Sequence, residues 1–240
     1  MPVAVVTGGS RGIGRAIARR LADTGASVAV NYRTDRAAAA QVVTAIEARG
    51  GRALAFRSDI TDPEQVRALF DSAEQTFGAL DIVVSNAAIA RFSPLAEATD
   101  DDFDQQFAIN TKATFYVLRE AANRLRDGGR IVLVSSGATI THRPGSGLYA
   151  AGKAASEQLV RVLARELAPR AITVDSVLPG AVHTDALAAA GVGQIDRIAA
   201  TIPMGRVGEP DDIADIVGFL VSEEARWITG ASIPASGGAF

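Results

Sequence analysis

Short runs of apolar residues alternate with longer stretches of helical periodicity, and this alternation limits the fold more than any other feature of the sequence. The pattern is typical of repeated strand–helix units, which form a parallel sheet with helices on both faces. The apolar runs predict seven strands, at residues 3–7, 27–32, 53–57, 80–85, 130–135, 171–177 and 231–234. The stretches between them predict helices at residues 12–24, 35–49, 63–77, 100–126, 148–168 and 210–221. The sequence therefore predicts an α/β protein with a three-layer, doubly wound sheet.

Composition excludes several classes of protein. The chain has 240 residues, a net charge of −3 and no cysteine, so disulfides, thiolate metal sites and cysteine nucleophiles are excluded. The arginines are scattered and form no basic stripe, which argues against a nucleic-acid partner. The sequence has neither an apolar run long enough to span a membrane nor an initial segment typical of a secretion signal, and we expect a cytoplasmic protein. His142 and His183 lack the spacing of metal ligands, so no metal site is predicted.

A glycine-rich turn follows the first predicted strand. Residues 7–14 read Thr-Gly-Gly-Ser-Arg-Gly-Ile-Gly and lead directly into an apolar helical pattern. Glycines between a strand and a helix allow backbone N–H groups to approach a pyrophosphate, and the helix N-terminus adds partial positive charge. The spacing differs from the commoner Gly-x-Gly-x-x-Gly fingerprint, and an ordinary strand–helix turn is the alternative. We predict that Gly8, Gly12 and Gly14 bind a dinucleotide.

The end of the second predicted strand indicates which dinucleotide. An Asp or Glu at this place usually binds a free ribose 2′-hydroxyl, but the chain reads Asn31-Tyr32-Arg33. Arg33 and Arg11 could flank a 2′-phosphate, so NADP is predicted over NAD. The alternative is that both arginines are solvated surface charges. Asp35 is assigned to capping the next helix.

A tyrosine and a lysine four residues apart open the fifth large helix. Tyr149 and Lys153 share one helix face, so the phenol and the ammonium can point towards one site. A nearby positive charge lowers the pKa of a tyrosine towards neutral pH, where an acid–base group is most effective. The pair alone is common on helix surfaces. The basic residues sharpen the signal, because only Lys112 and Lys153 are lysines among the 24 basic residues.

Taken together, these motifs resemble the short-chain dehydrogenase/reductase family. The glycine turn, Asn86-Ala87-Ala88, Asn110, Ser136, the Tyr149–Lys153 pair and Pro179-Gly180 occur in the family's order and approximate spacing over essentially the whole chain. The resemblance implies a single Rossmann domain over residues 1–240, with a seven-stranded parallel sheet. It is greatest to the bacterial NADP-dependent 3-oxoacyl-carrier-protein reductases and their relatives that reduce other ketones.

The resemblance also implies roles for four catalytic residues. Tyr149 matches the acid that protonates the carbonyl oxygen as hydride arrives, and Ser136 matches the serine that hydrogen-bonds that oxygen. Lys153 matches the residue that lowers the tyrosine pKa and holds the nicotinamide ribose. Asn110 matches the residue whose backbone holds a water in the proton relay. The alternative for Asn110 is a neutral surface residue in mid-helix.

Further positions are predicted by the same resemblance to bind the cofactor. Asp59 and Ile60 match the adenine contacts, with an ordinary loop role as the alternative for Asp59. Two departures from the family pattern are Ala88 and the Ser236-Gly237-Gly238 sequence near the C-terminus. The complete predicted cofactor set is Gly8, Ser10, Arg11, Gly12, Ile13, Gly14, Tyr32, Arg33, Asp59, Ile60, Asn86, Ala87, Tyr149, Lys153, Pro179, Gly180, Val182 and Thr184.

The expected activity is NADP(H)-dependent interconversion of a ketone and a secondary alcohol. The substrate is predicted to be a 3-oxoacyl thioester or another small ketone, sugar, polyol or steroid-like alcohol, selected by residues 137–148 and a flap at 185–206. The apolar residues of that flap could equally form a helix that packs on the core. Expected partners are the substrate and further copies of the chain in a homotetramer. Arg124, Arg126 and Arg170 could in addition dock an acyl carrier protein, but solvated helix-terminal arginines are the favoured alternative. The non-enzymatic alternative is a dinucleotide-binding regulatory protein.

Overall fold

A seven-stranded, entirely parallel sheet organises the computed structural model, which describes residues 1–188 and 192–240. Within those residues the strand order is β3-β2-β1-β4-β5-β6-β7. The direction of winding changes between β1 and β4, and ligands bind at such a switch point, at the carboxyl ends of the strands. The predicted α/β fold with a doubly wound, seven-stranded Rossmann sheet is confirmed.

The observed strands lie within two residues of their predicted starts and ends. They are β1 (Val3–Val6), β2 (Ser27–Tyr32), β3 (Arg52–Arg57), β4 (Ile82–Ser85), β5 (Arg130–Val134), β6 (Thr173–Pro179) and β7 (Ser232–Ala235). The helices are α1 (Gly12–Asp23), α2 (Arg36–Glu47), α3 (Pro63–Phe77), α4 (Asp100–Phe107), α5 (Thr114–Arg124), α6 (Ala138–Thr141), α7 (Gly147–Leu167), α8 (Asp185–Ala188), α9 (Val192–Ala199) and α10 (Pro210–Leu220).

Each face of the sheet packs against its own set of helices. In β1, Ala4 and Val6 pack on one face with α1, α2 and α10, whereas Val3 and Val5 pack on the other with α3, α5 and α7. Successive side chains of a strand point to opposite faces, so a strand that is apolar throughout must be covered on both. This explains the short apolar runs without polar alternation, and it leaves the loops at the strand ends free to form a site.

Helix starts follow the capping signals in the sequence. The Asp62 carboxylate accepts a 2.9 Å hydrogen bond from the Glu64 amide, and Pro63 occupies the first turn of α3. Asp35 caps α2 in the same way, with a 2.9 Å bond from the Ala38 amide. The interpretation of Asp35 as a cap is therefore confirmed, and its carboxylate is tied to the helix.

The single helix predicted at residues 100–126 is wrong. α4 ends at Phe107, a π-helical segment follows at Ala108–Ala113, and α5 continues to Arg124. Inside this segment the Asn110 carbonyl accepts hydrogen bonds from the Thr114 hydroxyl (3.0 Å) and the Ser156 hydroxyl (2.7 Å). These side-chain hydroxyls bind a carbonyl inside the widened turn, and such turns are frequent at functional sites.

The predicted flap at residues 185–206 contains α8 and α9, with residues 189–191 outside the described part. Ile202 is buried, whereas Ile195 and Ile198 are half-buried. Both interpretations of this segment, as a flap or as a helix packed on the core, therefore stay open. No helix in the described ranges combines the length and apolarity that crossing a membrane requires.

Candidate active site

The glycine turn is anchored to β4 by one asparagine. The Asn86 side-chain amide donates to the carbonyls of Thr7 (2.9 Å) and Gly8 (3.2 Å). In return, the Thr7 hydroxyl accepts hydrogen bonds from the backbone amides of Asn86 (2.9 Å) and Ala87 (3.1 Å). These bonds join the loops after β1 and β4, so the switch point of the sheet is rigid before any ligand binds.

Glycine is required in this turn for two distinct reasons. Gly8 and Gly12 have φ of +62° and +52°, in the left-handed region that side chains disfavour. A Cβ on Gly14 would lie 2.3 Å from the Gly8 carbonyl oxygen and 2.5 Å from the Asn86 amide nitrogen. Helix α1 can therefore start directly against the turn, with its N-terminal amides facing the cleft.

Most of the predicted cofactor residues line one cleft over this turn. Lys153, Pro179, Gly180 and Val182 are not on its walls. Of these, Lys153 donates a hydrogen bond to the Val134 carbonyl, and Pro179 is the last residue of β6. The Gly180 amide donates to the Ala235 carbonyl at 2.9 Å. The predicted residues that do line the cleft are Gly8, Ser10, Arg11, Gly12, Ile13, Gly14, Tyr32, Arg33, Asp59, Ile60, Asn86, Ala87, Tyr149 and Thr184.

The far end of the cleft has a positive rim. Arg11 and Arg33 are both exposed lining residues, and the Arg57 guanidinium donates a 3.1 Å hydrogen bond to the Arg33 carbonyl. The Asp59 carboxylate accepts bonds from the Thr61 amide (3.0 Å) and hydroxyl (2.8 Å), so it orders its own loop while it lines the cleft. The arrangement suits a phosphate beside the adenosine ribose.

Sequence reasoning missed Asn31, which organises this end of the cleft. Its side-chain oxygen accepts from the Gly8 amide (3.1 Å), and its amide donates to the Ser58 hydroxyl (2.8 Å) and carbonyl (3.1 Å). It therefore ties the glycine turn to the loop after β3. The available signal was a buried polar residue in the otherwise apolar run of β2, since such residues need partners.

Tyr149 lines the other end of the cleft, with Ser136 beside it. Ser136 follows β5, and Tyr149 lies in the first turn of α7. Burial raises the pKa of Tyr149 above its ordinary value, and the neighbouring Ser136 acts in the opposite direction with a smaller effect. At neutral pH the phenol is therefore protonated and can donate.

Lys153 lies one helical turn after Tyr149 and is 2% exposed. Its ammonium donates a 2.8 Å hydrogen bond to the Val134 carbonyl at the end of β5. Burial lowers its pKa to about 8, and the neighbouring Glu157 carboxylate acts in the opposite direction. Burial has the largest effect on the pKa of Tyr149, and the Lys153 ammonium is directed to a backbone carbonyl, so the lowering of the tyrosine pKa by Lys153 stays a prediction.

Asn110 is fully buried, so the alternative of a surface position is excluded. Its side chain forms a pair of hydrogen bonds with the Ile89 backbone, accepting from the amide at 3.1 Å and donating to the carbonyl at 2.8 Å. The loop after β4 is thereby fixed to the π-helical segment. The backbone carbonyl predicted to hold a water already accepts the two hydroxyls of Thr114 and Ser156, and the relay role stays a prediction.

The whole chain is similar to proteins of one family. The family model described as enoyl-(acyl carrier protein) reductase matches residues 8–239. The versicolorin reductase of Emericella nidulans is 43% identical over 251 residues, covering 99% of this chain and 95% of that protein. The chain belongs to the short-chain dehydrogenase/reductase family.

Solved structures of this short-chain dehydrogenase/reductase family agree over the same length. A short-chain dehydrogenase from Burkholderia cenocepacia in complex with NADP has a TM-score of 0.94 and 44% identity, with 99% of this chain and 97% of that chain covered. The angucycline C-6 ketoreductase LanV with bound NADP has a TM-score of 0.94 and 42% identity, with 99% and 95% covered. A further LanV structure holds NADP and rabelomycin. The predicted family and the oxidoreductase class are confirmed, and the complexes agree with the predicted cofactor.

The substrate side of this short-chain reductase holds an aromatic residue that sequence reasoning missed. The Phe92 ring meets the Tyr149 ring edge-on, with centroids 5.7 Å apart, and more than half of Phe92 is exposed. The Arg143 guanidinium lies 5.5 Å from the Phe92 ring centroid, and the Ser93 amide donates to the Gly145 carbonyl at 2.9 Å. The loop that carries Phe92 and Ser93 is therefore in contact with the predicted substrate stretch 137–148, next to Tyr149.

Proposed function

We propose that this chain reduces a ketone to a secondary alcohol with NADPH. The observation that carries the proposal is that Tyr149, with Ser136 beside it, lines one end of a cleft whose other end is a glycine turn with an arginine rim. The two ends are joined through the loop after β4, by Asn86 at the turn and Asn110 beyond it. This arrangement supports the roles predicted for Ser136 and Tyr149.

The cofactor cleft fits NADP better than NAD. β2 ends in Asn31-Tyr32, and the Asn31 side chain is occupied by Gly8 and Ser58. Asp35, the nearest carboxylate in the following residues, caps α2. Arg11 and Arg33 instead offer guanidinium groups at the rim, which match a 2′-phosphate.

The chemistry divides between the cofactor and the chain. NADPH, when bound, supplies the hydride that adds to the carbonyl carbon. The Ser136 hydroxyl donates a hydrogen bond to the carbonyl oxygen, and the Tyr149 hydroxyl gives its proton to that oxygen as negative charge develops there. Because burial keeps the Tyr149 pKa above its ordinary value, the phenol is the proton donor that reduction requires at neutral pH.

We infer that the ketone belongs to a cyclic, aromatic skeleton. More than half of Phe92 is exposed next to Tyr149, and a flat ring can pack on the part of it that Arg143 does not cover. Relatives described as versicolorin reductase and angucycline C-6 ketoreductase, the latter also with bound rabelomycin, support this choice.

A carrier-bound thioester is the second candidate, because of the description of the family model. The arginines expected to dock a carrier protein already have acidic partners. Arg124 pairs with Asp71, Glu74 and Glu120, Arg126 with Asp81, and Arg170 with Asp127. These ion pairs leave less free positive charge for an acidic partner, so the free cyclic ketone is favoured. The single domain, the flap, the homotetramer and the cytoplasmic location stay predictions.

The test is a substrate panel followed at 340 nm with NADPH. We expect 2-tetralone to be reduced with higher kcat/KM than an acetoacetyl thioester, free or carrier-bound. The Tyr149→Phe variant should lose at least about 100-fold in turnover and still bind NADPH. Faster turnover of the carrier-bound thioester would reverse the substrate assignment, and full activity of the variant would disprove the mechanism.

A further inference from the structure

A buried carboxylate lies beneath the catalytic residues and has no part in the mechanism above. Glu157 is 2% exposed and follows Lys153 by one turn of α7. Residues four apart on a helix are neighbours on one face, so Tyr149, Lys153, Glu157 and Arg161 form a single stripe along α7. A buried carboxylate is costly unless it is paired and hydrogen-bonded, and its partners therefore indicate its role.

The partners of Glu157 come from three elements. The Ser135 hydroxyl, at the end of β5, donates a 2.6 Å hydrogen bond to one carboxylate oxygen. The Arg161 guanidinium donates to the other oxygen at 3.0 Å, and the Ser232 hydroxyl of β7 does so at 3.4 Å. Arg161 is 44% exposed in its side chain, so part of its charge is screened by water. The carboxylate thus acts on two sides, towards β5 and towards Lys153.

On the β5 side, the contact reaches the residue next to the catalytic serine. Ser135 immediately precedes Ser136, and Lys153 binds the Val134 carbonyl on the other side of Ser135. Val134, the last residue of β5, and Ser135, which follows it, are therefore held by two residues of α7 one turn apart. This double attachment sets the distance between the Ser136 loop and the helix that carries Tyr149.

On the lysine side, Glu157 supplies the negative charge that acts on the ammonium. From α7 itself Lys153 is faced by the protonated Tyr149 and by Glu157, and from β5 by the neutral Val134 carbonyl. The neighbouring π-helical segment contributes Asn110, which is uncharged. Burial favours the neutral amine, and the Glu157 carboxylate opposes this effect.

We propose that Glu157 is a positioning residue that keeps Lys153 cationic and holds the Ser136 loop against α7. This proposal rests on the proposed function where it interprets turnover, but its test by NADPH binding does not. Lys153 is expected to hold the nicotinamide ribose, so its charge also affects the binding of NADPH. Binding can be measured whether or not the correct ketone has been found.

The experiment compares three variants by the pH dependence of the NADPH dissociation constant and of kcat/KM between pH 6 and 10. In Glu157→Gln, loss of the carboxylate should move the basic limb of both profiles down by roughly one pH unit. In Arg161→Gln, a partly exposed positive charge that pairs with the Glu157 carboxylate is removed, so the basic limb of both profiles should move to higher pH. In Ser135→Ala, the carboxylate stays and the attachment is lost, so kcat should fall at every pH while the limb stays in place.

Opposite shifts in the Glu157 and Arg161 variants would establish the electrostatic role. An unchanged limb in both variants, with kcat lowered equally at all pH values, would reduce Glu157 to a structural residue and overturn the proposal. If Glu157→Gln does not fold, the surface variant Arg161→Gln decides alone, because its limb either moves up or stays. If no ketone is turned over, the proposed function fails, while the binding profiles still report on Glu157.

Discussion

The ammonium of Lys153 donates its hydrogen bond to the carbonyl of Val134, two residues before Ser136, so the catalytic lysine is itself part of the joint between β5 and α7. The same group is buried, and its pKa falls to about 8 from an ordinary value of 10.5. Burial of this charge therefore lowers the stability of the cofactor-free fold.

This cost makes stability depend on pH. Between about pH 8 and 10.5 the unfolded chain binds more protons at this lysine than the folded chain does, so the free energy of unfolding should rise with pH in that window. The slope is up to about 1.4 kcal/mol per pH unit. The measurement is urea unfolding of the cofactor-free protein at several pH values, with Lys153→Met as the control. A constant difference between the two proteins across the window would show that Lys153 titrates at its ordinary pKa.

Arg33 should determine the choice of coenzyme. Arg33→Ala removes a guanidinium from the rim of the cofactor cleft, and a hydrogen bond between charged groups contributes about 1.5–3 kcal/mol. We expect kcat/KM to fall about 10- to 100-fold with NADPH and to stay unchanged with NADH. Arg19→Ala, on an exposed position of α1 outside the cleft, is the matched control. Equal losses with both coenzymes would assign Arg33 a structural role instead.

Gly14 should not tolerate a methyl group. In Gly14→Ala the new Cβ meets the Gly8 carbonyl and the Asn86 amide, both of which are held by hydrogen bonds, so α1 must move away from the turn. We expect a loss of about 1–3 kcal/mol in stability and weaker NADPH binding. Gly193→Ala in α9, where a Cβ meets no atom within 4 Å, should instead be neutral or stabilising by about 0.5–1 kcal/mol. Chemical denaturation and NADPH titration of both variants test this contrast.

Gly137, next to Ser136, should be coupled to Phe240. A Cβ on Gly137 would lie 2.1 Å from the Phe240 ring, whereas the backbone of Gly137, with φ of −61°, accepts alanine without strain. Gly137→Ala should therefore cost about 1–3 kcal/mol in the wild-type background and much less in Phe240→Ala. A double-mutant cycle on unfolding free energies measures the coupling. Additive effects would mean that the ring moves aside freely.

The periodicity of the sequence was sufficient to predict the strands of the sheet, because strands covered by helices on both faces are apolar throughout. It was also sufficient for the capped starts of α2 and α3, since Asp35 and Asp62 act on amides within three residues. Local signals of this kind need no knowledge of distant parts of the chain. The remaining errors all concern contacts between residues far apart in sequence.

The π-helical segment is one feature that local sequence signals could not predict. One of its carbonyls, that of Asn110, binds the hydroxyl of Ser156, which is 46 residues away in sequence. Tyr149 illustrates a second limit, because the helix spacing of Tyr149 and Lys153 indicates proximity but does not show the burial that acts most strongly on the tyrosine pKa. Asn31 and Phe92 illustrate the third, since their partners at Gly8, Ser58 and Tyr149 lie on other loops.

The widened turn at Ala108–Ala113 has a consequence for redesign of this protein. Asn110 binds Ile89 from within the π-helical turn, which contains more residues than a regular α-helical turn. The residues after this turn are therefore rotated about the helix axis relative to those before it. Deleting one residue to restore a regular α-helix would rotate the helix on one side of the deletion. Either Asn110, or Val117 and Leu118, would then lose their present contacts. Regularising this helix for stability would thus dismantle the support of the active site.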